Sequence, residues 1–205
     1  MLQPPGDAFI GQPVCASPQE TSQQELVERA IDGDSGSFTI LFQLYNAQIC
    51  AYLSNLVGND ELGRDLAQET FLRAWKSLPA MRKELLFKPW LYRIATNVAR
   101  SYQRHERLLR WLPWQDAMET RGETHGNSTN MEEKVSEAEY VQQVLSTLSP
   151  QYRTCLLLQL VAGFSQREIA SMLGISEKSV SANVSRGREQ FRLAARKLKG
   201  DVRDV

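Results

Sequence analysis

Apolar residues recur at steps of three and four along most of this chain, the period of helices that turn one face to a core. Phe38, Leu41, Phe42, Tyr45, Ile49, Tyr52, Leu53 and Leu56 form one such run, which Gly58 stops. Asp60 opens a second, with Leu62, Leu66, Phe71, Ala74 and Trp75 directed inward. A third carries Trp90, Leu91, Ile94, Ala95, Val98 and Tyr102. Ahead of them, Ser22 and Glu25 have the spacing of a capping box, where hydroxyl and carboxylate satisfy each other's free backbone N–H groups. A short helix over residues 25–30 then ends near Gly33 and Gly36. Residues 79–89 lie between two prolines and read as a loop holding Met81, Leu85, Leu86 and Phe87. The two-residue alternation of a strand is missing throughout. The expected fold class is all-α.

Composition divides the helices into two groups. Residues 1–21 hold Pro4, Pro5, Pro13 and Pro18 among Gln and Ser, and read as a mobile tail. A helical module follows over residues 22–107. Residues 108–137 begin apolar, as LLRWLPWQD, and turn rich in Gly, Thr, Asn and Glu, the signature of a linker. A second helical module covers residues 138–199, with a short tail over 200–205. A slack linker of this size has a root-mean-square span of about 30 Å. Two modules so joined can hold separate stretches of one ligand, each raising the effective concentration of the other.

The second module carries the sharpest local pattern. Over residues 163–192, Ser165 and Glu168 form a capping box at the start of one short helix. Ile169, Ala170 and Leu173 turn inward, and Gly174 suits the left-handed position that ends a helix. Ser176 then caps a second helix with Val180, Val184, Gly187 and Phe191 as its buried stripe. This is a helix-turn-helix, whose second helix enters the major groove of DNA. With Val180 inward, Lys178, Ala182, Ser185, Arg186, Glu189 and Arg192 point outward at about 100° per residue, with Ser181 and Arg188 on the flanks. Arg186 suits a guanine edge. Lys178, Arg188 and Arg192 suit phosphates, which position the module without reading sequence.

Charge sharpens that picture. The chain has 24 Lys and Arg against 24 Asp and Glu, yet residues 139–200 hold nine basic residues against four Glu, an excess of five. A neutral protein with one basic module points to a directed DNA contact rather than general attraction to polyanions. At 205 residues and 42% hydrophobic, the chain has no apolar run near the roughly 20 residues of a membrane span. No basic-then-apolar leader opens it, so the cytoplasm is the default compartment. Cys15, Cys50 and Cys155 are far apart and odd in number, which argues against a disulfide framework, and Cys50 and Cys155 read as small core residues. His105 and His125 lack metal-ligand spacing, and neither a phosphate-binding Gly-Lys-Ser loop nor a nucleophile elbow occurs. The expectation is a non-enzyme with no cofactor and no metal. Two rivals remain: a helix-turn-helix regulator with a helical sensor domain, and a DNA recombinase, which would need a strand-containing catalytic domain.

Three segments, in order, resemble bacterial RNA polymerase sigma factors of the extracytoplasmic-function group of the sigma-70 family. DELGRDLAQETFLRAWKSL, residues 60–78, resembles the helix that binds core polymerase. FKPWLYRIATNVARSYQRHER, residues 87–107, resembles the helix that meets the −10 promoter element, and the helix-turn-helix resembles the −35-binding domain. The resemblance covers residues 22–107 and 138–199. It implies that Asp65, Gln68, Glu69 and Arg73 dock on the coiled coil of the β′ subunit. It implies that Arg93, Asn97, Arg100 and Arg104 face melted DNA. It also implies that the loop over residues 79–88 captures a flipped base, with Met81, Phe87 and Trp90 as candidate apolar surface; packing of Phe87 and Trp90 in the domain core is the equal alternative. Core polymerase (β′ coiled coil and β flap) and promoter DNA are the implied partners, with room for an anti-sigma factor. The acidic residues of the linker have two readings, a solvated spacer or an occupant of a basic polymerase channel. Departures are Ser101 in place of a frequent acidic residue, and Gly187 where Ala is more usual.

Overall fold

The computed structural model describes residues 18–82, 86–110 and 137–201. These form eight α-helices: α1 (Pro18–Ile31), α2 (Ser35–Val57), α3 (Asp60–Ser77), α4 (Phe87–Arg110), α5 (Glu137–Ser146), α6 (Pro150–Leu160), α7 (Gln166–Leu173) and α8 (Glu177–Asp201). A short 3-10 turn, Leu78–Ala80, follows α3. No strand occurs among the described residues.

Most boundaries have local causes. Asp34 caps α2 by accepting from the Gly36 N–H at 2.9 Å, and its other oxygen accepts from the Ser37 hydroxyl at 2.8 Å. Those bonds, with Ser37 the largest contributor, hold the Asp34 carboxyl below its ordinary pKa. Gly58 ends α2 in the left-handed region at φ 80°, where a side chain would be strained. Asn59 caps α3 through the Leu62 N–H at 2.8 Å. The capping box at Ser165 and Glu168 forms in full, and Gly174 closes α7 at φ 65°. Ser176 accepts from the Ser179 N–H at 3.1 Å and so caps α8.

Three expectations shift. α1 begins at Pro18, inside the expected tail, so Ser22 lies within the helix rather than ahead of its start; residues 1–17, with Cys15, lie outside the described residues. α4 starts at Phe87 and runs to Arg110, past the expected end at 107. Of the linker expected over residues 108–137, residues 108–110 belong to α4 and Glu137 to α5, and residues 111–136 lie outside the described residues.

In the first module, α2 and α3 pack most closely, with α4 across them. Gly63 makes that approach possible, because a Cβ there would fall 2.6 Å from the backbone N and Cα of Ser54. The buried stripe of α3 is Gly63, Leu66, Ala67, Thr70, Phe71 and Ala74. Leu62 is only half-buried, and Trp75, expected inward, stays 39% exposed against Phe38. Small residues, which carry little hydrophobic signal, therefore line much of the contact. In the second module, α8 packs along α6 and α7. Gly187 lets α8 approach α6, facing the Leu156 and Tyr152 side chains.

The modules do not stand apart. Buried apolar residues from Val27 to Val184 form one contiguous cluster, with α2 against α6 and α4 against α7. The reason lies on α4, which buries two faces. Leu91, Ala95 and Val98 face the first module's core as expected, but Tyr92, Thr96 and Ala99 are buried too. Thr96 shares a 2.8 Å hydrogen bond with Tyr52, and Tyr92 packs edge-on against Phe164 of the second module.

Candidate nucleic-acid interface

Each expected interface sits on a helix whose opposite side the core holds. On α8, Val180 and Val184 are buried, Gly187 lies between helices, and Phe191 is half-buried. Lys178, Ser181, Ser185, Arg186, Arg188 and Arg192 are exposed, while Ala182 is half-buried. Asn183, three residues past Val180 on the same face, adds a polar anchor within that stripe: it is buried and donates to the Cys155 sulfur at 3.8 Å. Burial pushes the Cys155 thiol pKa up, partly offset by that bond. The result is a rigid rod with hydroxyls and cations along its free side, a shape and charge suited to a DNA groove.

On α4, Arg93, Asn97, Arg100 and Arg104 recur at four, three and four, which places them on one face. Arg93, Asn97 and Arg104 are exposed, and Arg100 is half-buried. The Arg100 charge offsets in small part the burial that raises the Tyr52 and Cys155 pKa values. Tyr52, fully buried, has its pKa raised well above normal by desolvation.

Before α4, the apolar residues follow the core alternative. Met81 and Phe87 are 6% and 2% exposed, and Trp90 is half-buried. Phe87 stacks between Tyr45, at 5.5 Å, and Trp90, at 5.7 Å. Burial against the core makes these residues the wall beneath the loop rather than free apolar surface. Arg82 and Leu86 are exposed there instead, Leu86 at 65%; residues 83–85 lie outside the described residues.

On α3, Asp65, Gln68 and Arg73 are exposed and Glu69 is half-buried. Arg73 and Glu69 pair with each other at 2.6 Å, an exposed pair one helical turn apart, worth about 0.3–0.5 kcal/mol. Asp65 and Gln68 share their side of the helix with Leu72, which is 56% exposed, and Trp75 follows. Sequence reasoning missed this apolar edge. The signal for it was the spacing of three, four and three from Asp65 through Gln68 and Leu72 to Trp75.

Residues 41–108 match the family profile described as Sigma-70 region 2, and residues 138–191 match Sigma-70, region 4. The chain is 31% identical over 168 residues to RNA polymerase sigma factor CarQ of Myxococcus xanthus, covering 81% of this chain and 93% of that protein. It is 28% identical over 182 residues to the ECF RNA polymerase sigma-E factor of Haemophilus influenzae, covering 84% and 95%. In fold it resembles CnrH, solved with the cytosolic domain of CnrY, at a TM-score of 0.64 and 23% identity over 84% of this chain and 96% of that one. It also resembles the sigma factor RpoE of Bartonella quintana, solved with the anti-sigma factor NepR, at a TM-score of 0.63 and 21% identity over 78% and 96%. The chain belongs to the sigma-70 family of bacterial RNA polymerase sigma factors, in its extracytoplasmic-function group.

Proposed function

We propose that this chain binds core RNA polymerase and directs it to promoters, and that its two modules divide the work. The single observation behind this reading is that one chain presents two separate cationic helix faces, on α4 and α8, each backed by its own buried stripe. Residues 22–107 act as region 2. Asp65, Gln68, Glu69 and Arg73, with Leu72 and Trp75 beside them, meet the β′ coiled coil. Arg93, Asn97, Arg100 and Arg104 hold the melted strand at −10 through phosphates and base edges. Met81 and Phe87 support the loop that takes a flipped base, and flipping, which costs a few kcal/mol, needs such a rigid floor. Residues 138–199 act as region 4, bound near the β flap, and place α8 in the −35 major groove. There Arg186 reads a base, Ser181, Ala182 and Ser185 let the helix sit deep, and Lys178, Arg188 and Arg192 grip phosphates.

The chain supplies recognition and no covalent step, so it is not itself an enzyme. It works in the cytoplasm, where its polymerase and DNA are; no described helix is long and apolar enough to cross a membrane. The fold likeness to a sigma factor solved with an anti-sigma factor supports an anti-sigma factor as a third partner. The test mixes the chain with core polymerase, follows co-elution in gel filtration, and measures run-off transcription from a cognate promoter. Co-elution with promoter-specific transcripts is expected. DNA binding with no polymerase partner would overturn the proposal and favour a regulator.

A further inference from the structure

The second helix has more apolar surface than its neighbours cover. α2 carries no charged residue from Ser35 to Val57, and a helix that is apolar all round is ordinarily covered all round. Its core side is buried at Ser37, Leu41, Tyr45, Ile49 and Tyr52. Ile40 and Leu44 are nevertheless 45% and 52% exposed, and Ala47 and Ala51 are exposed with them. Spacings of four, three and four set these four side chains within about 60° of one another. On one side of this stripe α3 meets α2 at Ser54, through Gly63. On the other, Gln23 of α1 donates to the Tyr45 phenol at 2.5 Å. The stripe continues into an open cleft of ≈ 1000 Å³, which Ala51 lines together with Ala138 and Val141 of α5.

The faces given to polymerase and DNA lie elsewhere. Phe38, which meets Trp75 beside the α3 docking face, stands about 150° around α2 from the centre of the stripe. The cationic faces belong to α4 and α8. A contiguous apolar strip, exposed among the described residues, marks a contact.

The chain itself supplies a segment of matching length that starts at the right place. α1 ends at Ile31, α2 begins at Ser35, and Gln23 stands level with Tyr45, so α1 runs antiparallel beside α2. Pro18, five residues before Gln23, is then about 7.5 Å farther along, level with Cys50 and Ala51. The chain that precedes Pro18 therefore arrives at one end of the stripe. Residues 8–17, AFIGQPVCAS, hold no charge and bring Phe9, Ile10 and Val14. Gly11 and Pro13 disfavour a helix there. In an extended path Phe9 to Val14 spans about 17 Å, and Ile40 to Ala51 spans about 16 Å of helix. Charge agrees as well as length: a buried charge on uncharged α2 would go unpaired, at a cost that an uncharged segment avoids.

We propose that residues 8–17 lie along this face of α2, with Val14 near Ala51 and with Phe9 and Ile10 near Leu44 and Ile40. The N-terminal segment thereby covers an apolar face that would otherwise pair copies of the chain or take up another protein. This inference is independent of the promoter reading.

The test uses the full chain with Cys15, Cys50 and Cys155 replaced by Ala, and spin labels at Gln12→Cys and Gln43→Cys, the latter exposed beside the stripe. One narrow inter-label distance is expected. Adding Phe9→Ser, Ile10→Ser and Val14→Ser should spread it into a broad distribution. The same three changes should raise the fluorescence of bis-ANS, a dye that reports apolar surface, several-fold, with helical circular dichroism unchanged. A distance already broad before those changes overturns the proposal. So does equal, strong dye binding with and without them, which would leave the face open to a separate partner. Dimers of the full chain in sedimentation, dissolved by Leu44→Ser, would also overturn it and make a second copy the occupant.

Discussion

Gly63→Ala tests whether helix contact, rather than helix propensity, governs the first module. Alanine is the better helix former by about 1 kcal/mol, so on local grounds the change should stabilise α3. The structure reverses the sign. The added Cβ would stand 2.6 Å from the Ser54 backbone N and Cα, against the roughly 3.5–4.0 Å of an ordinary carbon contact. Backbone cannot rotate aside, so α2 and α3 must part by about 1 Å across the most extensive helix contact among the described residues. Overpacking of this kind costs about 1–3 kcal/mol, and a clash with backbone belongs at the upper end. Subtracting the propensity gain leaves about 2 kcal/mol of destabilisation. For a chain of 205 residues that is a fall in Tm of about 4–8 °C, read by far-UV circular dichroism. Adding Ser54→Ala should recover only part of the loss, because N and Cα remain in place. An unchanged or higher Tm for Gly63→Ala would refute the close-approach argument.

Gly187→Ala should be tolerated within about 1 kcal/mol in urea unfolding, since its Cβ would press only on the Leu156 and Tyr152 side chains at 2.9–3.2 Å, which can shift while propensity improves. Arg186→Ala should relax preference at one −35 base pair by about 1–3 kcal/mol, measured as the spread of affinities over a duplex library; an unchanged preference would remove its role. Gln68→Ala with Glu69→Ala should weaken binding to core polymerase by fluorescence anisotropy while leaving Tm nearly unaltered, because Gln68 is exposed and Glu69 is tied only to Arg73. Cys155 should resist alkylation until the protein unfolds, being 0% exposed with its pKa raised by burial. The raised pKa leaves less thiolate at a given pH, so the native rate should climb only at pH above that of a free thiol. Rapid native labelling of Cys155 at pH 8 would contradict that burial.

Local structure was legible in the order of residues because its causes are local. Caps act over three residues and a buried stripe over three or four, so the capping box at Ser165, the left-handed Gly174 and the Val180–Val184 stripe could be read directly. The all-α class and the outward directions of Lys178, Arg186 and Arg93 follow from the same short-range geometry. Tertiary contact decided what short range could not. Tyr52 meets Thr96 across 44 residues, Lys88 reaches Ala162 across 74, and Arg153 reaches Leu56 across 97. No period in the chain announces such pairs. They make α4 a helix with two buried faces and join modules that the linker alone would leave apart, while contact with Tyr45 and Trp90 draws Phe87 into the core. Gly63 shows the same division on one residue: locally it weakens a helix, and only the nearness of Ser54 makes it necessary.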